Sequence, residues 1–188
     1  MTKVSRLLLR ALGCTVVLIG AAARANGAPT VWTGPTFSFS KPSGANHTLP
    51  ANQDQLTASV ALTRGNSQGM INILGEASFT ASSPTGTLWA TALNNPLDTI
   101  AATNWAALDF TTWTAAYANN VGTNILNHNA VVHLVTDDVY LDLRFTSFQG
   151  GGSGGAFAYQ RSTPLPEPTT GSLALLSLGM LLRRQSRR

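Results

Sequence analysis

Hydrophobic and polar positions alternate along much of the chain. Leu56, Ala58, Val60 and Leu62 are interleaved with Thr57, Ser59, Ala61 and Thr63 up to Arg64. That is the period-2 pattern of a strand with one buried face. Gly65-Asn66-Ser67-Gln68-Gly69 then predicts a turn, and Met70 to Leu74 a returning strand. Ser82-Ser83-Pro84-Thr85-Gly86 predicts a second turn, leading into a strand over Thr87-Leu88-Trp89-Ala90. Earlier, Thr36-Phe37-Ser38-Phe39-Ser40 alternates between Pro35 and Pro42. Prolines at both ends suit an edge strand, because proline cannot donate to a ladder. Asn94 to Asn129 keeps no clear period, which predicts loops with short strands or a helical turn.

The best-patterned segment runs from Ala130 to Phe148. With Asp137-Asp138 as a two-residue hairpin loop, Val135 would pair Tyr140, Leu134 Leu141, His133 Asp142, Val132 Leu143 and Val131 Arg144. Val132, Leu134, Leu141, Leu143 and Phe145 then share a core face, opposite a face of His133, Tyr140, Asp142 and Arg144. Gln149 to Gly155 is a glycine-rich connection, and Ala156 to Arg161 returns as a strand bearing Phe157 and Tyr159. Many short strands with turns at short intervals predict an all-β fold, an antiparallel β-sandwich of jelly-roll-like type.

The two ends read differently. Lys3, Arg6 and Arg10 precede an uncharged apolar run from Ala11 to Ala22, and Ala23-Arg24-Ala25 follows. A basic start, an apolar stretch and small residues at Ala23 and Ala25 form the layout of a removable secretory signal. The run is about a dozen residues, against about 20 for a membrane span. The residues before Cys14 fit a lipidation motif poorly. At the other end, Pro166-Glu167-Pro168 precedes an apolar run from Leu173 to Leu182, closed by Arg183, Arg184, Arg187 and Arg188. A short apolar helix ending in arginines is a stop-transfer pattern with the cations on the cytoplasmic side. It is too short for a comfortable lasting anchor. The sequence therefore predicts a signal helix over 1–25, a β-sandwich over 26–165 and a tail with a short apolar helix over 166–188.

The tail, with its three parts in order behind a signal peptide, resembles the PEP-CTERM sorting signal of Gram-negative bacteria. The resemblance implies recognition by an exosortase, a membrane cysteine protease, after signal peptidase has acted at the other end. It implies transient association with the inner membrane, then release or attachment at the cell surface. In the body, Leu62-Thr63-Arg64-Gly65-Asn66, Trp89-Ala90, Val132 through Asp142 and Phe157 through Pro164 resemble blocks in a class of exported β-rich bacterial proteins. That class often carries such tails and has no activity to carry over.

Charge sharpens this reading. The chain has 12 Lys and Arg against 8 Asp and Glu, a net charge of +4. Four of the cations lie in the signal and four in the tail. The body keeps Lys41, Arg64, Arg144 and Arg161 against seven acidic residues. It is mildly acidic, without the basic patch of a nucleic-acid binder. Cys14 is the sole cysteine and leaves with the signal, so the processed chain has no disulfide and no thiol chemistry.

Candidate chemistry in the body is sparse. The expected His133–Asp142 pair could orient a general base, but no Gly-x-Ser-x-Gly elbow supplies a nucleophile. Asp137, Asp138 and Asp142 could offer oxygens to Ca²⁺, although their spacing is not that of an EF-hand. His47, His128 and His133 lack zinc-ligand spacing, and the glycine run lacks the Lys-Ser/Thr ending of a phosphate loop. Trp32, Trp89, Trp105 and Trp113 could form a sugar-stacking platform or fill the core. The leading expectation is a non-catalytic protein of the cell surface or extracellular matrix, with no cofactor. A carbohydrate-binding module acting on exopolysaccharide comes second, and a hydrolase third.

Overall fold

A computed structural model describes residues 28–95, 100–126 and 128–166. Ala23 and Ala25, Glu167 and Pro168, the four tail arginines and both expected terminal helices lie outside the described residues. Nine strands and a few short helical turns make up the described part, so the all-β reading holds.

The large sheet runs β2(Phe37–Lys41), β9(Phe157–Arg161), β8(Val139–Phe148), β7(Asn129–Leu134), β6(Thr87–Thr91), all antiparallel. β1(Thr30–Trp32) adds to β8 in parallel over Val139–Leu141. A small sheet holds β3(Asp54–Gln55), β4(Ala61–Arg64) and β5(Met70–Asn72). The edge strand expected near Phe37 and the strands at Met70, Thr87 and Phe157 all form. β1 has no alternation long enough to betray it.

The expected strand over Leu56–Arg64 does not run through. Only Ala61–Arg64 is β4, and Asp54 pairs Leu62 across a tight reversal. The Thr57 hydroxyl accepts from the backbone N–H groups of Ser59 and Val60. It also donates to Asp137 Oδ2 at 2.6 Å. A threonine hydroxyl offering such local bonds competes with a ladder, so the alternating stretch folds into a hairpin bend.

The β7–β8 hairpin needs a second correction. Leu134 pairs Val139, His133 pairs Tyr140 and Val132 pairs Leu141, leaving Val135–Asp138 as a four-residue loop. His133 and Asp142 are therefore not opposed; Asp142 lies opposite Val131. Asp138 takes φ +49°, a left-handed conformation that aspartate tolerates, and the Val135 N–H donates to the Gly86 carbonyl. The register moves by an even number, so the expected faces survive. Ala130, Val132, Leu134, Val139, Leu141, Leu143 and Phe145 all point into one core.

Both sheets contribute to that core: Leu62 and Met70 from the small sheet, Trp89, Phe157 and Tyr159 from the large one, with Trp113 and Tyr117 from α1(Trp113–Ala116) and its C-terminal end. Trp89 Nε1 donates to Thr87 Oγ1 at 2.8 Å. Burial holds the Tyr117 phenol far above its ordinary pKa. On the opposite face of the large sheet, a 3₁₀ segment over Ala102–Ala107 covers Ala90, Val131 and Tyr140 with Ala102 and Trp105. Among the described residues no helix is long and apolar enough to cross a membrane.

Candidate functional site

The 3₁₀ segment covers only part of that opposite face. Beside it lies a groove of about 440 Å³ lined by Asn129, Asp142, Arg144, Gln160 and Ser162, and also by Thr33 and Thr36. Strand alternation explains the lining. Leu141, Leu143 and Phe145 of β8 enter the core, so Asp142 and Arg144 must face outward. Register completes the row: Arg144 lies between Asn129 on β7 and Gln160 on β9. Three exposed polar side chains thus cross three adjacent strands. The pairing of strands more than a dozen residues apart creates this row, and only the outward parity of Asp142 and Arg144 was visible beforehand.

Asp142 ties the groove to the 3₁₀ cover. Its Oδ1 accepts from the Ala102 N–H at 2.9 Å. Its own backbone N–H donates to Ser162 Oγ at 3.0 Å, and its carbonyl accepts from the Ser162 N–H. Desolvation holds the carboxyl above the usual aspartate range, and the Ala102 bond only partly opposes it. A hydroxyl-rich ligand would meet acceptors and donors of both kinds here. The Ser162 hydroxyl already accepts the Asp142 N–H, and none of the groove-lining residues is an imidazole.

His133 is placed elsewhere. Its ring stacks on Tyr140 at 4.2 Å and 3°, and Nε2 lies 3.2 Å from Asp138 Oδ1. Phe110 packs edge-on to both rings, and Trp105 lies 4.9 Å from Tyr140. The expected His133–Asp142 pair is thus replaced by a His–Tyr cross-strand stack. The three aspartates considered for Ca²⁺ are likewise separately engaged: Asp137 by Thr57, Asp138 by His133 and Asp142 by Ala102. Among the described residues no three acidic, histidine or cysteine side chains group to hold a metal.

The four-tryptophan platform does not form. Trp89, Trp113 and Trp32 are 0%, 2% and 6% exposed and belong to the core; Trp105 alone stays half-buried at the surface of the second cluster. Large aromatics give most when wholly buried, and periodicity could not distinguish the two fates. Pro166 is exposed, three residues beyond the last ties, where Gly34 N–H donates to the Thr163 carbonyl and Thr163 Oγ1 to the Pro35 carbonyl. Compared with known proteins, the chain matches no family model, no curated protein and no solved structure.

Proposed function

We propose that this is an exported, non-catalytic protein of the cell surface or extracellular matrix, sorted through a PEP-CTERM-like tail on a β-sandwich body of jelly-roll-like type. One observation carries the reading. The body is fastened as far as Thr163, Leu165 is 61% exposed, and Pro166 follows in the open. A processing enzyme in the membrane needs such an accessible substrate next to a short apolar run. In this reading signal peptidase removes 1–25, the apolar helix with Arg183, Arg184, Arg187 and Arg188 holds the chain briefly in the inner membrane, and an exosortase acts at Pro166-Glu167-Pro168. Intact-mass measurement on protein recovered from its own host tests it. Loss of both ends is the expected result; a mass equal to the full chain would overturn it.

A second reading, a carbohydrate-binding module in an exopolysaccharide matrix, is favoured by the Asn129–Arg144–Gln160 row. Polar side chains spread across an open groove suit a sugar chain. Replacing Arg144 and Gln160 by Ala should abolish retention on a polysaccharide column to which the native protein binds. Unchanged retention would remove the groove from this reading.

A further inference from the structure

Lys41 and Arg64 are 1% and 2% exposed, yet among the described residues neither meets a carboxylate. Arg64 Nε donates to the Gln68 carbonyl and Nη1 to the Gln149 carbonyl, at 2.9 and 2.8 Å. Its guanidinium stacks on Phe148, 3.9 Å from the ring centroid. Nη2 donates to no described residue. Lys41 Nζ makes only long contacts, to the Gly155 carbonyl at 3.3 Å, the Pro42 carbonyl at 3.4 Å and Asn66 Oδ1 at 3.5 Å. Carbonyl dipoles offset part of the desolvation of a buried cation, but they leave its full charge in place. Burial accordingly draws Arg64 down to about 10, and burial together with the charge of Arg64 lowers Lys41.

Arg64 stands in the wall of a cleft of about 230 Å³. Phe79, Trp113 and Phe148 supply flat apolar walls, Gln68 and Thr114 supply polar groups, and the exposed Gly122 also lines it. The floor is closed, since a side chain on Gly69 would collide with Phe79 and Trp113. Among the described residues no acidic side chain lines the cleft. We propose that this cleft binds a carboxylate carried on a single ring, the chemistry of one sugar-acid unit such as glucuronate. The unspent edge of Arg64 takes the carboxylate, as a planar guanidinium fork does. The ring lies against Phe79 and Phe148, whose faces suit the apolar face of a sugar, while Gln68 and Thr114 meet its hydroxyls. The volume is below the roughly 300–1,000 Å³ of sites for drug-sized ligands, so it admits one ring and not a chain. A phosphate dianion would want more donors than these apolar walls provide. The site shares no residue with the polar groove or the tail and goes beyond both readings above.

The test is calorimetric titration of the full chain with glucuronate, glucose and inorganic phosphate. Glucuronate should bind at least about tenfold more tightly than either of the others, a difference of about 1.4 kcal/mol, and more weakly as salt is raised. Arg64→Lys should weaken it by about tenfold or more, because an ammonium lacks the fork. Since Arg64 is also structural, Gly122→Phe serves as a second variant. Nothing lies within 4 Å of the position its Cβ would take, so the ring can occupy the cleft mouth without disturbing the core. It should abolish glucuronate binding with the thermal midpoint unchanged. Equal binding of glucose or phosphate, no binding of glucuronate, or binding that survives Gly122→Phe would each overturn the proposal. Because the titration needs no processing by a host, its failure is separate from failure of the export reading.

Discussion

Among the described residues charge is deeply buried at two places, and the two are handled in opposite ways. At one end of the core Asp54 is 4% exposed and faces Arg161, which is 8% exposed. Arg161 Nε and Nη2 grip the two carboxylate oxygens at 2.7 and 2.9 Å, and the Tyr159 hydroxyl donates to Oδ2 at 2.7 Å. Desolvation, and after it the charge and hydrogen bond of Asp54, push the Tyr159 phenol well above its usual range, which keeps it a donor. At the Lys41–Arg64 corner, charge is as deeply buried, and carbonyls and one aromatic face stand where a carboxylate would be. The first arrangement is closed and self-sufficient. The second leaves net positive charge and an open donor edge. An ion pair with its lone pairs satisfied fixes how two sheets meet; a cation that meets no carboxylate among the described residues leaves a donor edge on a cleft.

The sharpest way to break this contrast is to remove one partner of the closed cluster. Asp54→Ala leaves Arg161 buried and unpaired and strips Tyr159 of its acceptor, and a loss of about 3–5 kcal/mol is expected in urea unfolding. Adding Arg161→Met should recover part of that loss, since the orphaned charge goes too. Recovery of none would mean that Asp54 acts through packing alone.

Arg64→Met should be milder, about 1–3 kcal/mol by the same measurement. It leaves the Gln68 and Gln149 carbonyls without a donor and gives up the guanidinium stack on Phe148, but it also removes a desolvated charge and puts a thioether against the ring instead. A loss as large as that of Asp54→Ala would show that the two corners are alike after all.

Two carboxylates extend the contrast to groups nearer the surface. Glu76 accepts from the backbone N–H groups of Asn72 and Thr85 and from the hydroxyls of Ser83 and Thr85. Desolvation acts to raise its pKa, but these four bonds outweigh it and hold the group below 4.5. Its contribution is therefore present above that value and is lost as pH falls through the folded pKa. Glu76→Gln should cost about 1–2 kcal/mol at neutral pH and nothing in acid, as followed by thermal unfolding against pH. Asp142 has one bond, from Ala102, and desolvation wins, raising its pKa above 3.8. Its sign is opposite: the protonated form is favoured in the fold, so this term is present in acid and lost as pH rises through the folded pKa. Asp142→Asn keeps an acceptor for Ala102 and should raise stability at neutral pH by about 0.5 kcal/mol, with the gain fading in acid. A loss at neutral pH would mean that the ionised carboxylate is itself held by the groove.

Sequence by itself determined the strand-rich class, the edge strand before Pro42, the glycine connection before Phe157 and the core face of the β7–β8 hairpin. Each depends on local chemistry: a period of 2, a missing N–H at proline, the freedom of glycine. The approach of Gly155 to Gly65 illustrates the last, since φ is +65° and a side chain there would strike the Gly65 carbonyl. Only the tertiary structure decided the hairpin register, because a shift of two residues leaves every face unchanged and so leaves no mark on the pattern. It also decided that Leu56–Val60 bends, through a threonine held by an aspartate 80 positions away. The fates of the tryptophans, the pairing of Asp54 with Arg161 across 107 positions and the absence of a described carboxylate near Arg64 belong to the same class. Burial and charge compensation are properties of what the fold brings alongside a residue, and a residue's own neighbours in the chain do not specify them.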